Sequence, residues 1–139
     1  MNKSLFLAAA LLAGAAHAQV SVANPWVRTT VARQTTTAAY LTITSAKGGK
    51  LVSASSPAAA SVDVHEMKMA GDLMKMRAVD TVPLPAGQPV EFKPNGLHVM
   101  LTGLKAPLKA GDVVPIELVV EDAKGKRETV DVKAVARQN

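Results

Sequence analysis

A single all-β domain, a Greek-key barrel or sandwich, is the fold that this sequence predicts, and three observations predict it. β-Branched residues crowd into short segments, turn residues separate those segments at close intervals, and nothing beyond the first twenty residues keeps a helical apolar period over three turns.

The segments follow in order. WVRTTV (26–31) and TTTAAYLTIT (35–44) read as strands by their valines, isoleucine and threonines, and Lys47-Gly48-Gly49 closes the second. KLVSAS (50–55) is the next strand; Ala-Ser-Ser-Pro-Ala-Ala-Ala at 54–60 then suits an irregular connection or one helical turn. SVDVHEMKM (61–69) and LMKMRAV (73–79) flank Ala70-Gly71-Asp72 and form a hairpin. PVEFK (89–93) precedes the Asn95-Gly96 turn that opens LHVML (97–101). Gly111-Asp112 opens VVPIELVVE (113–121), and a turn at Lys124-Gly125 leads into ETVDVKAVA (128–136).

Before these strands, one lysine precedes an apolar run from Leu5 to Ala16, followed by Ala16-His17-Ala18. This is the pattern of a secretory signal, cut after Ala18, and the run is too short for a permanent membrane anchor. The expected division is residues 1–18 as a cleaved signal peptide and 19–139 as one exported β-domain without a membrane anchor. The mature chain then has 139 less 18, or 121, residues. Loss of Lys3 reduces the basic count from 16 to 15 against 11 acidic residues, a net charge of +4. There is no cysteine, so the domain depends on its core and cannot use thiolates for redox work or metal binding.

The basic balance does not point to nucleic acid, because the mature chain offers only Trp26, Tyr40 and Phe92 for stacking. Lys124-Gly125-Lys126-Arg127 is most simply a solvated turn.

The hairpin carries the chemistry. With a turn at Ala70-Gly71-Asp72-Leu73, Met69 faces Met74, Met67 faces Met76 and His65 faces Ala78. Alternation then sends His65, Met67, Met69, Met74 and Met76 to one face, while Val64 pairs with Val79, Glu66 with Arg77 and Lys68 with Lys75 on the other. In LHVML, Leu97, Val99 and Leu101 take the core side, so His98 and Met100 project together to the opposite one. Both mature histidines and all five mature methionines fall between residues 65 and 100.

Methionine is a common core filler and a lone histidine is usually structural. Here both types are concentrated on faces that alternation assigns away from the valines and leucines. Thioethers are soft, neutral donors that suit Cu(I), and two imidazoles with two thioethers make a four-coordinate site for that ion. Such a site weakens on acidification, because the imidazoles must be deprotonated to bind.

His65, ten residues, Met76, twenty-one residues, His98, one residue, Met100 spells H-x10-M-x21-H-x-M. With this signature the chain resembles the periplasmic copper chaperones called PCu(A)C. The resemblance extends through Asn24-Pro25-Trp26-Val27-Arg28, Ala39-Tyr40-Leu41-Thr42-Ile43, Met74-Lys75-Met76-Arg77, His98-Val99-Met100-Leu101 and Leu104-Lys105-Ala106-Pro107-Leu108. It implies a cupredoxin-like β-barrel that carries one Cu(I) per chain at an exposed site with His65, Met76, His98 and Met100 as ligands. It also implies delivery to a copper acceptor, either a cytochrome c oxidase subunit with a binuclear copper centre or an assembly-factor thiol protein, with a monomer as the carrier. Thr44-Ser45-Ala46-Lys47-Gly48 lacks the asparagine expected after the Tyr-Leu-Thr-Ile strand, and no histidine- and methionine-rich tail follows Ala136, so a single site is expected.

Met67, Met69 and Met74 lie outside the signature but on the same face, as a possible outer shell around the ion. Met67 is the main rival, being opposite Met76. Asp63 shares the face of His65 and could orient its imidazole, although a solvated surface carboxylate is the simpler reading. Two other functions compete with the chaperone: copper or silver sequestration, and a metal-free interaction domain. A blue-copper carrier needs a cysteine, and no carboxylate pair is spaced for acid–base catalysis, so the residues speak against an enzyme.

Overall fold

The structure, a computed structural model, describes residues 19–138. The signal-peptide expectation for residues 1–18 lies outside the described residues. Ten strands and no helix are present among them: β1 Val20–Arg28, β2 Thr36–Ser45, β3 Gly49–Ser55, β4 Ala59–Ala70, β5 Leu73–Ala78, β6 Val82–Leu84, β7 Val90–Glu91, β8 Leu97–Leu104, β9 Val113–Glu121 and β10 Arg127–Arg137. The all-β reading therefore holds. Residues 54–60 form no helical turn: Pro57 and Ala58 make a tight turn, and β4 starts at Ala59.

All ten strands belong to one sheet, in the order β5-β4-β8-β2-β1-β10-β9-β3-β6, with β7 added on β2. Neighbours far apart in sequence, such as β8 between β4 and β2, give the crossovers of a Greek-key arrangement. Every ladder is antiparallel except β1 with β10, where Trp26 faces Val135 and Arg28 faces Arg137.

The core follows the two-residue period of the strands. Val114, Ile116, Leu118 and Val120 of β9 are buried and meet Val132, Ala134 and Ala136 of β10, Leu41 and Ile43 of β2, and Val99 and Leu101 of β8. Burying a side chain of this size contributes roughly 1.5–3 kcal/mol. With no disulfide among the described residues, this core carries the stability of the domain.

The first strand differs most from the sequence expectation, at both of its ends. WVRTTV is the end of a strand that begins at Val20; Thr29 and beyond leave the sheet. Asn24-Pro25 forms a β-bulge: the β1–β2 register shifts between Ala23 and Trp26, and Asn24 takes a φ of 51°. A bulge is where an interior strand can accept a proline, which has no N–H to give to the ladder. Past the bulge, Trp26 stands directly opposite Tyr40. The short β6, Val82-Pro83-Leu84, was not expected, because its central proline masks it.

Candidate metal centre

Four strands build the site: the β4–β5 hairpin, β8 beside β4, and β2 beside β8. The hairpin has the register that alternation predicts, with His65 opposite Ala78, Met67 opposite Met76 and Met69 opposite Met74. Gly71 takes a φ of 68°, and Asp72 does not share it, as in two-residue turns whose first central residue alone is left-handed. On the reverse face, Glu66 accepts from Arg77 at 2.7 Å, which pins the two strands in that register. Val64 is buried in the core while Met69, Met74 and Met76 are 58%, 44% and 49% exposed, so the hairpin leaves the core and carries its thioethers into solvent.

β8 brings the second half. In its ladder with β4, His65 faces His98 and Asp63 faces Met100. The two imidazole centroids are 5.9 Å apart at an interplanar angle of 55°. A metal–imidazole bond is about 2 Å long, so one ion can reach both rings.

The two rings have different surroundings. His98 is only 5% exposed, and its Nδ1 donates to the carbonyl oxygen of Gly96 at 3.0 Å. A carbonyl can only accept, so this bond fixes the tautomer and leaves Nε2 with its lone pair free. His65 is half-buried, and its Nδ1 is the single buried side-chain N or O atom among the described residues without a hydrogen-bond partner. An unpaired buried nitrogen is costly unless another partner completes it.

A cleft of about 210 Å³ opens at this point, and Met67, Met76, His98, Met100, Tyr40 and Arg28 contribute to its wall. Three signature residues thus share one cleft, with Met67 as a fourth sulfur or nitrogen donor in the wall. His65 adjoins His98 but contributes nothing to that wall. Met69 and Met74 lie further along the hairpin towards the turn. Asp63 is exposed and makes no hydrogen bond to His65, whose Nδ1 stays unpaired. Among the described residues, no group of three or more His, Asp or Glu side chains could hold a metal ion. The side-chain nitrogen and sulfur donors that the cleft wall offers besides Arg28 and Asn95 are His98, Met67, Met76 and Met100.

Tyr40 and Arg28 were not anticipated as wall residues. Trp26 packs on Tyr40 with centroids 4.7 Å apart, Arg28 lies over the Tyr40 ring at 5.6 Å, and Arg137 covers Trp26 at 4.4 Å. The stack holds the phenol ring at the edge of the cleft. Burial raises the Tyr40 pKa above 10.0, with the Arg28 charge opposing it in part. The group stays protonated and adds no charge to the site at neutral pH. Because the folded value is the raised one, the stability linked to this proton is complete below pH 10 and is lost as pH climbs through the folded value. Tyr40→Phe keeps the ring stack and should flatten the alkaline fall of Tm; an unchanged alkaline limb would assign that fall to other groups.

Comparison with known proteins agrees with this architecture. The sequence model of a lipoprotein family described as LpqE-like matches residues 20–134. A Leifsonia xyli subsp. xyli protein named as a lipoprotein, Lxx21020, is 33% identical over 123 residues, covering 86% of this chain and 73% of its own length. Among solved structures, apo-DR1885 from Deinococcus radiodurans is 33% identical with a TM-score of 0.64, over 100% of this chain and 92% of that one. The copper-bound PCuAC domain from PmoF2 has a TM-score of 0.63 at 21% identity, over 86% of this chain and 94% of that domain, and shows the shared fold.

Proposed function

This chain belongs to the PCuAC family of LpqE-like proteins, and from that premise we propose that it is an exported copper chaperone. It binds one Cu(I) through His65, Met76, His98 and Met100 and passes it in the periplasm to a copper acceptor, an oxidase subunit or an assembly-factor thiol protein, towards the binuclear centre of cytochrome c oxidase. The observation that carries this reading is the pair of facing imidazoles, ring centroids 5.9 Å apart, beside a cleft walled by thioethers: His98 has Nε2 free and His65 has a buried Nδ1 with no partner. A soft, neutral donor set of this kind matches a monovalent soft ion.

The donors are graded in depth. His98 is 5% exposed and Met76 is 49% exposed, so the ion is held from below and open from above. An acceptor ligand can replace Met76 while His98 still holds the cargo. The protein carries an ion and changes no covalent bond.

Met67 competes with Met76, since the two face each other and both reach the cleft. Anaerobic Cu(I) competition titration tests the whole reading. One ion per chain is expected, with Met76→Leu weakening affinity more than Met67→Leu. A larger loss from Met67→Leu would move the fourth ligand to Met67, and the absence of stoichiometric binding would end the proposal.

A further inference from the structure

The β4–β5 hairpin holds one feature that neither core packing nor the metal cleft explains. Lys68 and Lys75 stand directly opposite each other and are both exposed. Among the described residues, neither forms an ion pair. Like charges facing each other across a strand pair oppose the pairing. Two positions further from the turn, Glu66 and Arg77 form a complementary pair at 2.6 Å, so this face of the hairpin does accept opposite charges. On the lysines' own face the tip also exposes Leu73 at 64%, whereas Met69, 58% exposed, points to the thioether face. Among the described residues, β5 is also the last strand of the sheet, with no strand on its outer side.

We propose that this tip is a docking surface for an acidic protein partner, whose carboxylates relieve the Lys68–Lys75 repulsion while its apolar side chains cover Leu73 on the same face. The inference rests on the proposed function only for calling that partner the copper acceptor. Charge complementarity brings the partner in rapidly and fixes its orientation. Docked there, it lies one strand's thickness from Met76, which follows Lys75 along β5 and is 49% exposed on the other face of the hairpin. An anionic bilayer is the competing occupant of a cationic, apolar tip. Residues 66–76 hold no Trp or Tyr of the kind that anchors chains at membrane interfaces, so the protein partner is the better fit.

The test is an NMR titration of the isotope-labelled, metal-free full chain with a synthetic glutamate-rich peptide bearing one Met-x-Met pair. The same peptide with lysine in place of glutamate, and vesicles containing phosphatidylserine, serve as parallel arms. Shifts confined to residues 66–76 are expected with the acidic peptide alone, with affinity falling about tenfold as NaCl rises from about 0.05 to about 0.3 M. Lys75→Glu should weaken peptide binding at least about fivefold and raise Tm by about 1–3 °C, because it puts opposite charges face to face. Shifts centred on another basic segment such as residues 124–127, equal binding of the lysine peptide, binding to vesicles but not peptide, or peptide binding unchanged by Lys75→Glu would each overturn the proposal. Cu(I) affinity is measured separately: an unaltered chain that fails to bind Cu(I) refutes the chaperone reading, whereas the peptide arms decide docking without metal.

Discussion

His98→Ala should lower Cu(I) affinity by at least about 100-fold while far-UV circular dichroism stays that of the parent. Loss of a partner that merely orients a ligand typically costs a metal site 10–100-fold, and His98 is proposed as a ligand itself. Its position makes the effect large. The ring is 5% exposed and is locked by the Gly96 carbonyl, so its Nε2 enters the site with its orientation already set. No other side chain in the cleft wall carries an imidazole. Competition with a chromophoric Cu(I) chelator under anaerobic conditions reads the loss directly. An affinity within about threefold of the parent would remove His98 from the ligand set.

Gly49→Ala should destabilise the domain by about 2–4 kcal/mol, seen as a lower urea midpoint with an unchanged slope. Gly49 has a φ of 132°, where side chains are strained, and a Cβ at that point would collide with the backbone carbonyl oxygen of Glu121. Neither group can move cheaply, because Lys50 is paired with Glu121 in the β3–β9 ladder. Gly71→Ala is the control. Its φ of 68° is also left-handed, but nothing lies within 4 Å of the added atom, so only about 1 kcal/mol should be lost. Equal losses at the two sites would show that the close approach to Glu121 contributes nothing.

The parts of the site that the sequence reveals are those set by local rules. A two-residue turn and strict alternation determine the register of the hairpin, and Met67 does face Met76 as those rules require. The Glu66–Arg77 pair follows from the same register. Contacts between distant strands are not determined in that way. That His98 faces His65, and that Tyr40 borders the cleft, depend on β8 lying between β4 and β2, which no local pattern encodes. Alternation also underestimates how deep His98 lies: it assigns the ring to the face away from the valines, yet the hairpin and β2 on either side bury it. The part of β1 before Trp26 is missed for a related reason, because the bulge at Asn24-Pro25 needs a partner strand before it can be seen.

The parallel pairing of β1 with β10 joins the two ends of the described chain in the interior of the sheet, with β10 between β1 and β9. Removing residues 127–137 would therefore not trim a frayed tail; it would cut the sheet into two separate ribbons. Closure of so long a loop makes folding an all-or-none event that waits for the final strand. Until that strand arrives, β2 and β8 have no completed barrel wall behind them, so the chain cannot hold a finished cleft while it is still incomplete.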